Sequence, residues 1–216
     1  DVYVRIIDYK TGKKDFNIVK TYYGIDIQLM VYMEAAMKLV AKMRPGKNVI
    51  PAGVFYYNIS DPIVSATTES AEEIEDKIKG ELRLKGMVNS DKDIAEKMDN
   101  TEGTSLNIPV SRKADGGFDS RRSKVMNTEQ FNMLGRFVDV RAIDTADRIV
   151  GGDIRRSPYK DGQFSSCDRC PYGAVCGFSV DLPGCNYRKL KKFDDEVLWN
   201  NICLLYTSPS PRDKRQ

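Results

Sequence analysis

The chain has 216 residues, of which 41% are hydrophobic and 30% charged, and its formal net charge is +3. This composition is typical of one globular domain or slightly more, and the small charge does not by itself indicate a nucleic-acid partner. The sequence contains five cysteines and no histidine. Catalysis by a serine–histidine or cysteine–histidine pair, and zinc binding by histidine, are therefore excluded. Acid–base chemistry must come from Asp, Glu, Lys or Tyr.

The first half of the chain predicts two strands and three helices. A β-branched, mostly apolar run at 2–9 is typical of a central strand. Residues 22–43 have the spacing of an amphipathic helix, and 50–59 form a second apolar strand. Charged helices are predicted over 70–84 and 91–98.

The long helix predicted at 22–43 is a core element and not a membrane span. Glu34, Lys38 and Lys42 interrupt its apolar positions, whereas a span needs about 20 mostly apolar residues. Because the chain also lacks a signal peptide, we expect a cytoplasmic protein with no membrane partner. The side chains predicted to share the buried face of this helix are Leu29, Met33, Ala36, Met37 and Val40.

The second half of the chain is polar and rich in turns up to a second long helix. Residues 114–117 predict a hairpin tip between short strands at 108–110 and 123–125. Asn127 or Thr128 caps a helix that ends near Val150. A short strand is predicted over 153–155. The helix residues expected to point inward are Phe131, Leu134, Val138, Ile143 and Ile149.

The end of the sequence is treated apart from the fold. The segment at 204–213 resembles the translation of a sequencing-adapter read-through, so we interpret residues 203–216 as an artefactual tail. A natural disordered tail would also suit its Ser-Pro-Ser-Pro run.

The first candidate for chemistry is Asp8-Tyr9-Lys10, at the end of the first strand. Residues two apart on a strand point to the same face of the sheet, so Asp8 and Lys10 lie side by side. The carboxylate can bind Mg²⁺, with the Tyr9 carbonyl as a second oxygen ligand. The ammonium can orient water or stabilise the charge of a phosphorane. A plain ion pair at the end of the strand is the alternative.

The following helix carries Gln28 and Tyr32, which are four residues apart and share a face. Asp-Tyr-Lys, a polar turn and then Gln-x-x-x-Tyr closely resemble the core of the PD-(D/E)XK nucleases, in the exonuclease branch found in recombination helicase–nucleases. The resemblance implies that Asp8 is a metal ligand and Lys10 the catalytic lysine. It also implies that Gln28 and Tyr32 face the metal site and the DNA backbone. On the helix pattern alone, Gln28 and Tyr32 fit the rim of a core helix equally well.

The second candidate is Cys167-x-x-Cys170-Pro171, followed by Cys176. Three thiols so close together indicate a soft-metal site in a reducing compartment, and free thiols are the alternative. Zinc and a four-iron cluster both require four ligands. With no histidine available, the fourth ligand must be Cys185, an acid or a residue outside this chain.

Both candidates together closely resemble the C-terminal nuclease domain of the AddB family, the B subunits of bacterial ATP-dependent helicase/deoxyribonucleases. Gly152-Asp153-Ile154, Pro158-Tyr159 and Tyr187-Arg188 extend the resemblance, which covers residues 2 to about 192. It implies a Mg²⁺-dependent DNA exonuclease that resects double-strand breaks for recombinational repair. The partners implied are DNA and the helicase–nuclease A subunit, in a heterodimer.

The resemblance also implies a fold of two parts. Residues 1–164 would form an α/β, restriction-endonuclease-like core with a mixed central sheet and flanking helices, incomplete at its first strands. Residues 165–192 would form a cysteine-rich segment in which Cys167, Cys170 and Cys176 bind a [4Fe–4S] cluster. This cluster would join the end of the chain to an earlier segment.

The sequence departs from the family pattern in two ways. The first metal-binding Asp of the family lies on the strand before Asp8, and the first cluster cysteine lies further upstream; residues 1–216 contain neither. Asp1 is not a replacement, and no ligand role is transferred to Cys185. The resemblance therefore implies that the parent protein is a nuclease, whereas these 216 residues alone are inactive and expose apolar surface.

Three other classes of function compete with this interpretation. The iron–sulfur adaptation nucleases of CRISPR systems have similar motifs, but the long insert between 59 and 128 favours the AddB family. A non-catalytic, metal-stapled module that binds DNA or a partner is the second, and the intact Asp8, Lys10 and Gln28 argue against it. A zinc ribbon would need a second Cys-x-x-Cys, which the sequence lacks.

Several basic residues are candidates for sequence-independent contacts to phosphates. Asp115 and Asp119 lie among them and weaken the prediction of a basic patch, so a solvated surface is the alternative. The candidates are Arg112, Lys113, Arg121, Arg122, Lys124, Arg155 and Arg156.

Overall fold

The structure is a computed structural model that describes residues 1–59, 61, 62, 64 and 70–207. Four strands form its central sheet in the order β1–β2–β3–β4. β1 pairs with β2 in parallel, β2 with β3 antiparallel, and β3 with β4 in parallel. The mixed sheet with flanking helices confirms the predicted fold class. The strands are Val2–Lys10 (β1), Val49–Asn58 (β2), Lys85–Asn89 (β3) and Val125–Met126 (β4).

Seven helices and a second, smaller sheet complete the described part of the chain. The small sheet has the order β6–β5–β7 and lies in the cysteine-rich half of the sequence. Its strands are Tyr159–Asp161 (β5), Phe164–Ser165 (β6) and Arg188–Lys189 (β7). The helices are Ile18–Tyr22 (α1), Gln28–Met43 (α2), Ala71–Leu82 (α3), Lys92–Met98 (α4), Thr128–Val150 (α5), Gly173–Cys176 (α6) and Asp195–Thr207 (α7).

Each face of the central sheet is covered by its own apolar cluster. The larger cluster joins β1 and β2 to α2, α5 and α7, and it includes Val4, Met33, Tyr56 and Leu134. The smaller one lies on the opposite face, where Phe55 packs with residues of α4 and of the loop before β4. Because side chains alternate along a strand, the face that holds Val4 also receives Asp8 and Lys10.

The helix predicted at 22–43 is wrong in its first turns. The structure has a short helix α1, then a turn, and α2 begins only at Gln28. Gly24 has a φ of 75°, a left-handed conformation that breaks the helix. The break matters for the site because it makes Gln28 the first residue of α2. The apolar face is as predicted, with Leu29 and Met33 buried.

The helix predicted near 128–150 is confirmed as α5. Asn127 accepts a hydrogen bond from the Gln130 backbone N–H at 2.7 Å, and the Gln130 side chain accepts one from the Asn127 N–H at 2.9 Å. This capping box satisfies donors that the helix start leaves open. Ile143 and Ile149 were expected to point inward, but they are 46% and 70% exposed. The apolar contacts of α5 come from its first half, which lies over the sheet.

Three further expectations are corrected by the structure. β1 was predicted to be central, yet among the described residues it pairs only with β2 and so forms the edge of the sheet. Residues 153–155 form no strand; Asp153 instead forms ion pairs with Arg148 and Arg155. Residues 108–110 form no hairpin strand either; the segment near the predicted tip holds only isolated bridges, such as Arg112 with Phe118.

Helix α7 is a core element that the sequence patterns did not indicate. Its residues Leu198 and Ile202 are buried and belong to the larger apolar cluster. The helix continues to Thr207, past the start of the tail interpreted as an artefact at 203–216. The rest of that tail, 208–216, lies outside the described residues. No helix in the described ranges is long and apolar enough to cross a membrane.

Two glycines give opposite predictions for stability. A Cβ at Gly86 in β3 would lie 1.9 Å from the Val54 carbonyl oxygen, so Gly86→Ala forces β2 and β3 apart. We expect this variant to lose about 1–3 kcal/mol of unfolding free energy. A Cβ at Gly80 in α3 meets nothing within 4 Å, and Gly80→Ala should gain about 0.5–1 kcal/mol. Urea unfolding followed by circular dichroism measures both, and equal effects of the two substitutions would contradict this β2–β3 packing.

Candidate active site

The candidate site lies where β1 ends and α2 begins. Asp8 and Lys10 project from the last residues of β1 on the α2 side of the sheet, and the parallel register places Tyr56 of β2 beside Asp8. The turn after α1 starts α2 at Gln28, so this side chain lies at the same end of the sheet as Lys10. Tyr32 follows one helical turn later. The structure thus brings together all four site residues predicted from the sequence.

A continuous chain of short contacts joins these four residues. The Lys10 ammonium lies 2.7 Å from the Asp8 carboxylate and donates a hydrogen bond to Gln28 Oε1 at 2.8 Å. The Gln28 Nε2 group donates in turn to Tyr32 Oη at 2.8 Å. Both ends of the Gln28 amide are therefore engaged. The chain fixes the position of the lysine relative to the carboxylate.

Donors remain available at two points of this chain. An ammonium has three N–H groups, and Lys10 directs two of them to Asp8 and Gln28. The Tyr32 hydroxyl accepts from Gln28, so its own hydrogen is left to donate, and the side chain is 45% exposed. Both donors suit an anionic ligand such as a phosphate group.

A second layer of polar residues lies under the site, and the sequence patterns did not identify it. Asp26 is only 5% exposed; its carboxylate accepts a hydrogen bond from the Tyr56 hydroxyl at 2.8 Å and lies 3.2 Å from Lys14 Nζ. The ammonium groups of Lys10 and Lys14 both lie over the Tyr56 ring, at 5.5 and 5.6 Å from its centroid. The signal in the sequence was Asp26 itself, a carboxylate between two isoleucines.

Burial and the acidic neighbours of Tyr56 change its ionisation. Burial, the hydrogen bond with Asp26 and the charges of Asp26 and Asp8 all raise the pKa of Tyr56 above its ordinary value. The phenol therefore stays protonated at physiological pH and keeps its hydrogen bond to Asp26. The ring of the neutral Tyr56 thus lies beneath the ammonium groups of Lys10 and Lys14.

The Asp8 carboxylate has the character of a partial metal site. Its Oδ2 atom is buried and lies 2.7 Å from the Lys10 ammonium, with no other polar partner among the described residues. A carboxylate oxygen is a ligand that suits a hard cation such as Mg²⁺. In residues 1–59, 61, 62, 64 and 70–207, however, no three His, Cys, Asp or Glu side chains are grouped to hold a metal ion. The described residues thus offer one carboxylate for such a cation.

The cysteine-rich segment is ordered by turns but does not gather its thiols. Cys167 is half-buried, whereas Cys170 and Cys176 are exposed, and the described part of the chain contains no grouped metal ligands at this segment either. The Cys170 N–H donates to the Cys167 carbonyl at 3.1 Å, which forms a tight turn. Cys185 is buried as a free thiol. The cluster predicted at the first three cysteines stays a prediction.

This segment is nevertheless attached to the nuclease-like core. The ring of Phe193, the residue directly after this segment, contacts the rings of Tyr22 and Tyr23 at centroid distances of 5.4 and 6.1 Å. The Lys191 N–H donates to the Tyr23 hydroxyl at 2.9 Å. Arg156 donates to the carbonyls of Cys176 and the following glycine at 3.1 and 2.8 Å. The two parts of the chain are thus joined by packing and hydrogen bonds.

Among the basic residues that were candidates for phosphate contacts, the structure gives some a structural role and places others at a cavity. Arg112 donates to the backbone carbonyls of Asp99 and Thr101, and Arg155 pairs with Asp153, so both have structural roles. Arg156 holds the cysteine-rich segment, as described above. Arg122 and Lys124, by contrast, line a cavity beside the candidate site.

Comparison with known proteins gives the family of this chain. Residues 1–177 match the PD-(D/E)XK nuclease superfamily. The chain belongs to this superfamily, which confirms the family predicted from its motifs.

Several proteins similar to this chain share one description. The chain is 36% identical over 202 residues to the B subunit of the ATP-dependent helicase/deoxyribonuclease of Thermoanaerobacter sp. (strain X514), covering 93% of the chain and 17% of that protein. The protein of the same description from Clostridium botulinum (strain Hall) is 39% identical, with 93% and 18% covered. The one from Lachnoclostridium phytofermentans is 36% identical over 211 residues, with 93% and 18% covered. The chain thus spans less than a fifth of the length of the curated relatives it matches.

The polar layer beneath the site is tested by removing the Tyr56 hydroxyl. Tyr56→Phe leaves the buried Asp26 carboxylate without its hydrogen bond, which should cost about 1–3 kcal/mol of unfolding free energy. Because the folded state raises the pKa of Tyr56, this stabilisation is complete below the ordinary tyrosine pKa of about 10 and is lost as the pH rises through the folded-state value. Urea unfolding at neutral and alkaline pH measures the difference.

The matched control is Tyr57→Phe, because Tyr57 is the next residue of β2 and its side chain packs edge-on against the ring of Tyr9. This variant should stay within about 0.5 kcal/mol of the wild type. If both variants lose the same unfolding free energy, the Tyr56 hydroxyl makes no specific contribution to stability.

Proposed function

We propose that the chain is the DNA exonuclease domain of a bacterial helicase–nuclease. It hydrolyses phosphodiester bonds with Mg²⁺ and resects double-strand breaks for recombinational repair. The observation that carries the proposal is the contact chain Asp8–Lys10–Gln28–Tyr32 in a chain of the PD-(D/E)XK superfamily. The similarity to the B subunits of helicase/deoxyribonucleases supports DNA as the substrate and a helicase–nuclease A subunit as the partner in a heterodimer.

Each of the four residues has a role that follows from its contacts. Asp8 would hold the divalent cation through its carboxylate, which lies 2.7 Å from the Lys10 ammonium. Lys10 positions the attacking water or stabilises the negative charge that develops on the phosphorus oxygens. Gln28 keeps the ammonium in place, and Tyr32 fixes the Gln28 amide while its own hydrogen is offered to the DNA backbone. When bound, the cation supplies Lewis-acid polarisation of the phosphate and an activated water.

The site requires groups beyond those described. We propose that a further metal carboxylate and a fourth cluster thiolate come from another part of a longer protein. On this proposal Cys167, Cys170 and Cys176 bind a [4Fe–4S] cluster only when that fourth ligand is present. The chain of 216 residues alone is then inactive, whereas the longer protein cuts DNA.

Removal of the lysine tests the proposed chemistry. In the longer protein with its helicase partner, Lys10→Ala should lower the turnover of linear DNA with Mg²⁺ by about 100-fold or more, because the charge that develops in the transition state loses its partner. Lys42→Ala removes a lysine from the exposed far end of α2 and should leave turnover unchanged. Unchanged cutting by Lys10→Ala would refute the catalytic role. Mg²⁺-dependent digestion by the isolated chain, lost in Asp8→Ala, would contradict its proposed inactivity.

Metal analysis tests the proposed cluster. The longer protein should contain iron and acid-labile sulfide in equal amounts and absorb visible light. Cys170→Ser should abolish both the iron content and this absorbance, whereas Cys185→Ser, at a buried thiol to which no ligand role is assigned, should retain them. Zinc in place of iron, or iron that persists in Cys170→Ser, would eliminate the cluster proposal.

A further inference from the structure

A basic groove opens beside the candidate active site. It has a volume of about 470 Å³ and lies between the loop after β1, the end of α3 and the loop before β4. Two acidic residues, Asp15 and Glu81, are outnumbered by the basic residues of its lining. The six basic residues are Lys13, Lys14, Arg83, Lys85, Arg122 and Lys124.

Half of these six cations have no partner in the part of the chain that the structure describes. Lys13, Lys85 and Arg122 make no ion pair and no side-chain hydrogen bond within the described ranges. They belong to three separate segments, the loop after β1, the start of β3 and the loop before β4. Like charges from distant parts of the sequence therefore meet across one groove. Such an arrangement raises the local concentration of anions.

The other three cations are fixed, and two of them shape the groove walls. Arg83 donates to the carbonyls of Ile108 and Val110 at 2.8 and 3.1 Å, which ties the end of α3 to the loop before β4. Lys124 lies 2.6 Å from Asp15 and so bridges this loop to the loop after β1. The walls are held by these contacts before any ligand arrives, and a preorganised site loses less entropy on binding.

Lys14 and Asn58 link the lining of the groove to the candidate active site. Asn58 pairs with Lys10 in the β1–β2 register and also lines the groove. Its side chain accepts a hydrogen bond from the Lys14 N–H at 3.0 Å and donates to the Lys14 carbonyl at 3.2 Å. The ammonium groups of Lys14 and Lys10 lie over the same Tyr56 ring. A polyanion in the groove therefore has a path of positive charge towards Asp8 and Lys10.

The charged side chains that line the groove favour the phosphate backbone of a nucleic acid as the ligand. The cations are spread along the groove, as a ligand with repeated phosphate charges requires. Among the described residues no aromatic side chain lines the groove, so this lining offers no platform on which a base would stack. We propose that this groove binds the phosphodiester backbone of the DNA strand, independently of base sequence, and guides that strand to Asp8. This inference rests on the proposed nuclease function and names the path of its substrate.

The test measures how salt affects the binding of a single-stranded oligothymidylate. Each phosphate contact contributes about 0.7 to the slope of log affinity against log salt for single strands. The double variant Lys13→Gln/Arg122→Gln removes two cations from two separate loops of the lining and should make the slope shallower by about 1.4. Fluorescence anisotropy of the labelled strand in EDTA, where no strand is cut, gives the slope for the complete chain and for the longer protein.

The matched control is Lys42→Gln/Lys47→Gln, which removes two exposed lysines at the opposite end of the sheet and should keep the wild-type slope. The proposal is overturned if the groove variant and the wild type have equal slopes, or if both double variants become shallower in slope by the same amount. It is also overturned if the wild type does not bind the strand. Asp8→Ala should bind with the wild-type slope although it does not cut. Cutting that survives Asp8→Ala would reject the proposed catalytic centre and leave the binding result standing, so the two failures are distinguishable.

Discussion

The ion pair of Asp8 with Lys10 is the interaction on which the rest of the site depends. Two residues apart on one strand, the carboxylate and the ammonium share a face of the sheet, and they lie 2.7 Å apart. The fold must keep them from closing into an inert pair. It does so by giving the ammonium a second acceptor in Gln28, which the break between α1 and α2 places at the right end of the sheet.

The polar layer beneath the pair connects the candidate site to the basic groove. Asp26 is buried with Tyr56 and Lys14 as its partners, and Tyr56 carries both Lys10 and Lys14 over its ring. One buried carboxylate thereby positions a lysine of the groove next to the lysine of the active site. The other cations of the groove extend the same positive surface. Site and groove are thus built from one set of contacts at the end of β1 and β2.

The sequence predicted the fold class, and local spacing together with the family resemblance predicted that Asp8, Lys10, Gln28 and Tyr32 lie together, as they do. The roles of these four residues stay a prediction. Asp8 and Lys10 follow the two-residue period of a strand, and Gln28 and Tyr32 the helical period. The period alone did not reveal the break at Gly24, since the apolar spacing continues across it and the φ of 75° depends on the turn. The groove could not be predicted from the sequence either. Lys13 and Arg122 are more than a hundred residues apart, and only the tertiary fold brings them to one cavity.

Binding of a divalent cation by Asp8 is the step on which the proposed chemistry depends. Titration of Mn²⁺ into the longer protein, followed by electron paramagnetic resonance, measures it without any need for turnover. If Asp8 is a ligand, Asp8→Asn weakens Mn²⁺ binding by about tenfold or more. Asp181→Asn, in the cysteine-rich segment, then leaves the affinity unchanged. Equal Mn²⁺ affinity of Asp8→Asn and the wild type would contradict a metal-dependent nuclease centre at the end of β1.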